Sequence, residues 1–259
     1  MKLLITNDDG VFAPGIAALA ETLTARGRDL VVVAPDRERS SVGHAITLSR
    51  PLRLWPLTSG NYEKTLRVFA VDGTPSDCVM LGLEEVAPET TLVISGINRG
   101  PNLGDDLTYS GTVSAAMEGV ILGRPALAVS LDIGPEDVEH YYDTAAAVTA
   151  RLVDRLESLE LPRGVLLNVN VPNLPYGELQ GMVPTRKGVR LYLDKVNRRT
   201  DPRGGTYYWV SGRPEDELTE GTDVWAVASG YVSITPVHMD LTHYPTLKEL
   251  GRLVEGNPL

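Results

Sequence analysis

The sequence predicts an α/β fold with a mostly parallel sheet, and three features support that prediction. Short apolar runs alternate with amphipathic helical patterns over residues 1–174. The runs are continuously apolar, which is typical of strands that are covered on both faces of a parallel sheet. Polar or glycine-rich segments follow several of the runs, as expected at the ligand-binding edge of such a sheet.

The first strand–helix–strand unit is predicted near the N-terminus. Residues 3–5 and 30–34 are its two apolar runs, and the helical pattern between them ends at Gly27. Parallel strands joined through a helix make a right-handed crossover. Gly10 and Gly15 do not have the spacing of a GxGxxG fingerprint, and the chain contains no Walker A motif. The unit therefore carries no signature of dinucleotide or P-loop binding.

The same alternation continues along the chain. Strands are predicted at residues 66–71, 92–95, 126–130 and 165–171, and helices at residues 75–83, 113–121 and 136–159. Residues 46–56 have an extended pattern, and Gly60 with Asn61 indicates a turn.

A long hairpin is predicted in the C-terminal third. Residues 191–193 and 207–210 are rich in aromatic and aliphatic side chains, and they flank the polar segment 197–205. A two-stranded hairpin is marginally stable by itself in water. We therefore expect its aromatic face to pack against another surface, such as a second subunit.

The remaining C-terminal segments complete the expected organisation. Strands are predicted at residues 224–227 and 231–235, and a last helix at residues 243–253. We expect two parts in the chain. Residues 1–174 form the catalytic domain, and residues 175–259 form a hairpin, strand and tail-helix region used in oligomerisation.

Composition narrows the class of protein. The chain has 259 residues, of which 42% are hydrophobic and 22% charged, so it is long and apolar enough to form a sizeable core. The net charge of -10 argues against nucleic-acid polymers and anionic membranes as partners. A single cysteine, no signal-peptide pattern and no long apolar run lead us to expect a cytoplasmic protein.

Two adjacent carboxylates follow the first predicted strand. Asp8 and Asp9 come directly before Gly10, so the chain has left the strand and both side chains can converge in a turn. Like charges held close together repel, and a divalent cation relieves the repulsion. A solvated turn is the alternative interpretation of these residues.

Three further polar segments lie at predicted strand ends or helix starts. One loop contains Ser40 and Ser41, a glycine-rich loop contains Asn98, and Ser110 with Thr112 begins a helix whose N–H groups could bind an anion. Two carboxylates, a hydroxyl and an amide form an all-oxygen ligand set that suits Mg²⁺ or Mn²⁺ better than Zn²⁺. A bound metal beside an anion site is the arrangement that enzymes use to hydrolyse phosphoryl groups.

Six segments of the chain carry a family resemblance: TNDDG at residues 6–10, APDRERS at 34–40, DGTPSDCV at 72–79, SGINRGPNLG at 95–104, SGTV at 110–113 and GYVSITP at 230–236. Together they resemble the stationary-phase survival protein SurE family of metal-dependent 5′-nucleotidases. The resemblance runs almost end to end.

The resemblance implies a fold, a site and an activity. It implies a three-layer Rossmann-like domain with a C-terminal hairpin exchanged between subunits of a homodimer or homotetramer. The implied cofactor is one Mg²⁺, Mn²⁺ or Co²⁺ ion per subunit, and the implied substrates are nucleoside 5′- and 3′-monophosphates and short polyphosphate. The implied metal ligands are Asp8, Asp9, Ser40 and Asn98, with Ser41 as the alternative to Ser40. The implied catalytic residues are Asp8, Asp9 and Asn98, and the implied phosphate-binding residues are Asn98, Arg99, Gly100, Asn102, Ser110, Gly111 and Thr112.

Two other functions are compatible with the motifs. A phosphatase that forms an aspartyl-phosphate would be one, although its motif separates the two aspartates by one residue and here they are adjacent. A nucleotide-binding sensor without catalytic activity on the same fold would be the other.

Overall fold

A computed structural model describes residues 1–57, 62, 66–159, 161–193, 196–210 and 212–254. Thirteen strands are found in these residues: β1 Lys2–Thr6, β2 Asp29–Pro35, β3 Leu54–Pro56, β4 Arg67–Val71, β5 Leu92–Arg99, β6 Ala126–Asp132, β7 Val165–Pro172, β8 Met182–Pro184, β9 Arg190–Leu193, β10 Val196–Thr200, β11 Thr206–Val210, β12 Arg213–Asp216 and β13 Val232–His238.

Six α-helices accompany these strands in the described residues: α1 Pro14–Ala25, α2 Pro75–Leu81, α3 Gly111–Ile121, α4 Tyr142–Leu156, α5 Asp223–Ala228 and α6 Tyr244–Val254. A π-helical turn, Gly82–Val86, extends α2, and short 3₁₀ turns lie at Gly104–Thr108 and Tyr176–Glu178. No helix among the described residues is both long and apolar enough to cross a membrane.

Nine strands form one sheet in the order β3-β4-β2-β1-β5-β6-β7-β13-β8. The central strands β4, β2, β1, β5, β6 and β7 are parallel, whereas β3 and β13 pair antiparallel with their neighbours β4 and β7. From β1, strands β2 and β4 are added on one side of the sheet, and β5, β6 and β7 are then added on the other side. This reversal opens a crevice at the carboxyl ends of β1 and β5, where ligands bind in sheets of this type.

The two faces of the sheet bury separate apolar clusters. Leu3 and Ile5 of β1 pack in the cluster that includes α1 and α4, while Leu4 between them packs in the cluster that includes α2 and α3. This alternation follows from the two-residue period of a strand. Helices on both faces of a mostly parallel sheet confirm the predicted α/β fold.

The C-terminal segments differ in part from the prediction. Residues 224–227 belong to α5, so the predicted strand there is wrong. The hydroxyl of Thr222 accepts a hydrogen bond from the Trp225 N–H (3.3 Å) and caps the helix. Val224 and Val227, three residues apart, pack together against Leu103. A four-residue apolar run has no periodicity that separates a strand from one helical turn.

The hairpin extends further than its predicted strands. Strands β10 and β11 pair antiparallel around the turn at residues 201–205, and β9 pairs with β12 nearer the main domain. Its side chains are largely exposed in the single chain: Trp209 is 64% and Val210 is 85% exposed.

Other boundaries also shift. Helix α4 is shorter than the predicted 136–159, because Asp137 accepts a hydrogen bond from the Gly134 N–H (2.8 Å) and closes a turn before the helix. Only Leu54–Pro56 of the extended segment 46–56 pairs as a strand, and the predicted turn at Gly60 and Asn61 lies outside the described residues. The division at residue 174 stays a prediction; β8 and β13 belong to the main sheet.

Candidate active site

Asp8 lies at the centre of the crevice between β1 and β5. It lies two residues after the end of β1 and is 4% exposed. The Thr112 hydroxyl donates a hydrogen bond to Oδ1 of Asp8, and the Asp8 carbonyl accepts one from the Arg39 N–H (2.7 Å). Asp8 thereby connects β1 to the start of α3 and to the loop that follows β2.

The electrostatics of the aspartate pair favour a cation. Burial raises the pKa of Asp8. Burial, together with the neighbouring charge of Asp8, raises the pKa of Asp9 to about 6, against a hydrogen bond from the Arg99 N–H (3.0 Å) that lowers it. In the part of the chain that the structure describes, no lysine or arginine side chain forms an ion pair with either carboxylate.

Asn98 faces the same crevice from the end of β5. The pairing of β5 with β6 shifts register between Ser95 and Asn98, and such irregularities re-aim side chains at functional sites. The side-chain amide nitrogen of Asn98 donates to the Gly100 carbonyl (2.8 Å). No donor among the described residues reaches its amide oxygen, which is the atom suited to ligate a cation.

The loop after β2 brings two serines to the crevice. Ser40 and Ser41 both line it, and the Ser40 hydroxyl donates to the Glu38 carboxylate (2.8 Å). Ser41 has a left-handed backbone with φ of 58°. Either hydroxyl oxygen can still accept or ligate, so the choice between Ser40 and Ser41 stays open.

The N-terminus of α3 forms the opposite wall. Ser110 caps the helix, since its hydroxyl accepts a hydrogen bond from the Val113 N–H (3.1 Å). A Cβ atom at Gly111 would lie 2.8 Å from both Cβ and Oδ2 of Asp8. Only glycine therefore lets the helix start pack this closely on the carboxylate. Free N–H groups at a helix start attract anions.

These elements enclose a cavity of about 660 Å³. Its lining residues are Asp8, Ser40, Ser41, Asn98, Arg99, Pro101, Asn102, Asp106, Tyr109, Ser110, Tyr192, Val210 and Gly212. Most predicted site residues thus lie on one surface. Asp9 accepts a hydrogen bond from the N–H of the lining residue Arg99, and the Thr112 hydroxyl donates one to the lining residue Asp8. Gly100 and Gly111 are the chain neighbours of the lining residues Arg99 and Ser110.

Several residues that line the cavity were not predicted as site residues. Tyr109, 70% exposed, precedes the helix cap and could have been found from that position. Tyr192, Val210 and Gly212 come from the two sides of the hairpin base, about a hundred residues further along the chain, so only the fold reveals them. The Tyr192 hydroxyl donates to Asp106 (2.5 Å), which fastens the hairpin base to the cavity wall.

The donor set fits a hard divalent cation. The Asp8 carboxylate, the Asn98 amide and the hydroxyls of Ser40 and Ser41 line one cavity, and Asp9 adjoins Asp8. No lysine or arginine side chain among the described residues forms an ion pair with either carboxylate, although the charge of Arg99 acts to lower the pKa of Asp9. No three histidine, cysteine, aspartate or glutamate side chains in those residues form a group able to hold a metal. A metal at this crevice would therefore depend on the neutral ligands Asn98 and Ser40 or Ser41 as well.

The comparison with known proteins places the chain in a family. The family model "Survival protein SurE" matches residues 3–194. Proteins named 5′-nucleotidase SurE from Geobacter metallireducens and Thermosynechococcus vestitus are 53% and 49% identical over 96% of this chain and 96% and 95% of their own. The crystal structure of the SurE protein from Aquifex aeolicus superposes with a TM-score of 0.84 at 42% identity, covering 98% of this chain and all of that one. The chain belongs to the SurE survival protein family.

Proposed function

We propose that the protein is a divalent-metal-dependent phosphomonoesterase that hydrolyses nucleoside 5′-monophosphates to nucleoside and phosphate. One observation carries the proposal: a single cavity, lined by the buried carboxylate of Asp8 with Asp9 next to it in the chain, lies beside a helix N-terminus and leaves room for more than a phosphate. The relatives named 5′-nucleotidase SurE support the same activity. The single cysteine fits a reducing compartment, and we propose the cytoplasm.

The metal would be held by oxygen atoms of Asp8, Asp9, Asn98 and Ser40, with Ser41 as the alternative hydroxyl. Mg²⁺, Mn²⁺ or Co²⁺ would withdraw charge from the phosphoryl oxygens and acidify water. The chain itself excludes solvent from Asp8 and fixes that carboxylate through the Thr112 hydroxyl. Arg99 and the N–H groups at the start of α3 would bind the phosphoryl oxygens.

Phosphate release from a panel of substrates tests this proposal. We expect Mn²⁺, Mg²⁺ or Co²⁺ to activate release from AMP and chelation to abolish it, and we expect 3′-AMP and tripolyphosphate to be slower substrates. Tight AMP binding without release under any of the metals would indicate a sensor. A phosphoaspartate trapped from a single turnover would indicate the aspartyl-phosphate mechanism.

Base selectivity is expected to be low. The outer cavity offers an exposed aromatic ring at Tyr109 and apolar surface at Val210. Such surfaces contact any base by its face and do not read hydrogen-bonding edges. We expect kcat/KM for AMP, GMP, CMP and UMP to agree within roughly a hundredfold, whereas discrimination above about a thousandfold would require dedicated buried hydrogen bonds.

Asn98 is expected to contribute to metal binding as a neutral ligand. Because its amide carries no charge, Asn98→Ala should weaken the metal by roughly one to two decades, like the loss of other supporting contacts. A titration of Mn²⁺ against activity measures the shift. The control is Asn173→Ala, because the Asn173 amide donates to Asp137 and does not line the cavity. An unchanged Mn²⁺ titration in Asn98→Ala would mean that Asn98 serves only to hydrogen-bond Gly100.

We propose that the hairpin also mediates assembly into a homodimer or homotetramer. Exposed aromatic side chains in β11, including Tyr207, Tyr208 and Trp209, favour burial against a partner. Replacing residues 197–209 by a short turn should shift the sedimentation coefficient towards the monomer at low micromolar concentration. The same oligomer in that variant would place the interface elsewhere.

A further inference from the structure

Three fully buried side chains hold the backbone of the loop at residues 98–104 from behind. Asn168 and Asn170 lie on β7, and Asp223 is the first residue of α5. All three are 0% exposed, and none of them lines the cavity. We refer to Asn168, Asn170 and Asp223 as the loop clamp.

The asparagines of the loop clamp fix the backbone of Asn102. Oδ1 of Asn170 accepts a hydrogen bond from the Asn102 N–H (2.8 Å), and its amide nitrogen donates to the Asn102 carbonyl (3.1 Å). The amide nitrogen of Asn168 donates to the same carbonyl (2.9 Å). The side chain of Asn102 is engaged too, since its amide nitrogen donates to the Ser130 hydroxyl (2.7 Å).

Asp223 fixes the end of the same loop. Its carboxylate accepts hydrogen bonds from the N–H groups of Gly104 (3.0 Å), Gly188 (2.7 Å) and Val224 (2.9 Å). Three N–H donors stabilise a buried carboxylate that has no ion pair among the described residues. Asp223 therefore joins the segment before β9 to a loop that lies 119 residues before Asp223 in the sequence.

The polar side chains of β7 are confined to one face of the strand. Residues 167, 169 and 171 of β7 face the apolar cluster with α4, whereas Asn168 and Asn170 point to the opposite face of the strand. Oδ1 of Asn168 has no hydrogen-bond partner among the described residues, whereas both polar atoms of the Asn170 amide and the Asp223 carboxylate are hydrogen-bonded. Buried polar groups stabilise little by themselves, but such bonds to a backbone select one backbone position over others. Here that position belongs to the loop that carries Asn98 and Arg99 to the cavity.

We propose that Asn170 and Asp223 are positioning residues for the phosphate-binding loop, with Asn168 in a supporting role. This inference rests on the proposed phosphomonoesterase function. The loop clamp touches neither phosphate nor metal; it acts by holding the backbone between Asn98 and Gly104. Loosening it should displace the phosphate-binding groups and leave Asp8 and Asp9 in place.

Three variants test the proposal in the full-length chain. Asn170→Ala removes two hydrogen bonds to Asn102, Asn168→Ala removes one, and Asp223→Asn keeps the shape but turns an N–H donor towards Gly104 or Gly188. We expect kcat/KM for AMP to fall roughly 10- to 100-fold in Asn170→Ala and Asp223→Asn, and less in Asn168→Ala, because small misplacements of binding groups cost that much.

The matched control is Thr149→Ala. Thr149 is also fully buried, and its hydroxyl donates to the Ala145 carbonyl (2.7 Å) within α4, on the other face of the sheet. This variant should lower the melting temperature to a similar degree and leave kcat and KM within about twofold. It separates loss of stability from loss of loop position.

Calorimetric titrations with inorganic phosphate and with Mn²⁺ supply readouts that need no turnover. The proposal predicts that phosphate affinity falls at least about fivefold in Asn170→Ala and Asp223→Asn. Mn²⁺ affinity should stay within about threefold, because Asp8 and Asp9 lie outside the loop and the pairing of Asn98 with Ser130 of β6 holds Asn98 in place. If Asn170→Ala does not fold, Asn170→Ser takes its place.

The outcomes separate the two proposals. Unchanged phosphate affinity and kcat/KM in folded loop-clamp variants would make these residues structural only and overturn the inference. Phosphate binding without AMP hydrolysis in the wild type would overturn the proposed function, and the phosphate affinities of the variants would still decide the inference. A wild type that neither binds phosphate nor hydrolyses AMP would overturn both.

Discussion

Asp8→Asn and Asp9→Asn should each lower kcat for AMP hydrolysis by roughly a thousandfold or more while leaving the fold intact. The amide has nearly the shape of the carboxylate and can still accept the hydrogen bonds from Thr112 and from the Arg99 N–H. It lacks the charge that would hold a cation at the crevice. Steady-state kinetics at saturating Mn²⁺ measure the loss.

The melting temperature of Asp9→Asn should be unchanged or higher, although its kcat falls. The pKa of Asp9 is raised to about 6, so its ionised form is less favourable in the folded protein than in the unfolded chain. The unfavourable contribution is absent only well below the ordinary pKa of 3.8, where the carboxyl is protonated in both states. It grows as the pH rises from 3.8 to about 6 and is complete above that pH. Without added metal, Asp9→Asn should therefore melt at or above the wild-type temperature at pH 7.5, and the difference should shrink towards pH 5.

The control for both variants is Asp154→Asn. Asp154 forms surface ion pairs with Arg26 and Arg28 on the α4 side of the sheet, and exposed pairs of this kind contribute little. Its substitution should leave kcat unchanged. Full activity of Asp8→Asn or Asp9→Asn at saturating Mn²⁺ would remove the aspartate pair from the site and with it the proposed metal.

Much of the crevice could be predicted because its residues lie just after strands or at the start of a helix. Continuous apolar runs indicated β1, β2, β5 and β6, and polar residues at their carboxyl ends had to meet at one edge of a parallel sheet. Asp8, Asn98 and Ser110 therefore came together as expected. The alternation of Asn168 and Asn170 in a buried strand was also a visible signal, since two amides on one strand face need partners.

Other parts depend on contacts between distant segments. Whether residues 224–227 form a strand or a helix is decided by the Thr222 cap and by packing of Val224 on Leu103, more than a hundred residues away. Tyr192 reaches the cavity only because β9 pairs with β12 and lies against the turn that contains Asp106. Local periodicity carries no information on such contacts.

Gly111→Ala should lower kcat/KM at least about a hundredfold, the second large effect that we expect. The added Cβ would lie 2.8 Å from Cβ and Oδ2 of Asp8, a distance that real Cβ atoms do not adopt. Asp8 cannot turn away freely, because its other carboxylate oxygen accepts the Thr112 hydrogen bond and the residue is buried. The helix start must therefore shift, and with it the N–H groups proposed to bind phosphate.

The loss should not come from the helix itself. Gly111 is the first residue of α3, and alanine is the better helix former, so α3 alone would not be destabilised by the change. Gly119→Ala in the same helix is the matched control: its Cβ would meet Val93 at 3.1 Å, away from the cavity, and should alter stability but not kcat/KM. Melting curves and kinetics of both variants, with Mn²⁺ present, distinguish displacement of the site from general destabilisation. Near-wild-type kcat/KM in Gly111→Ala would show that Asp8 and the helix start can separate without loss of function.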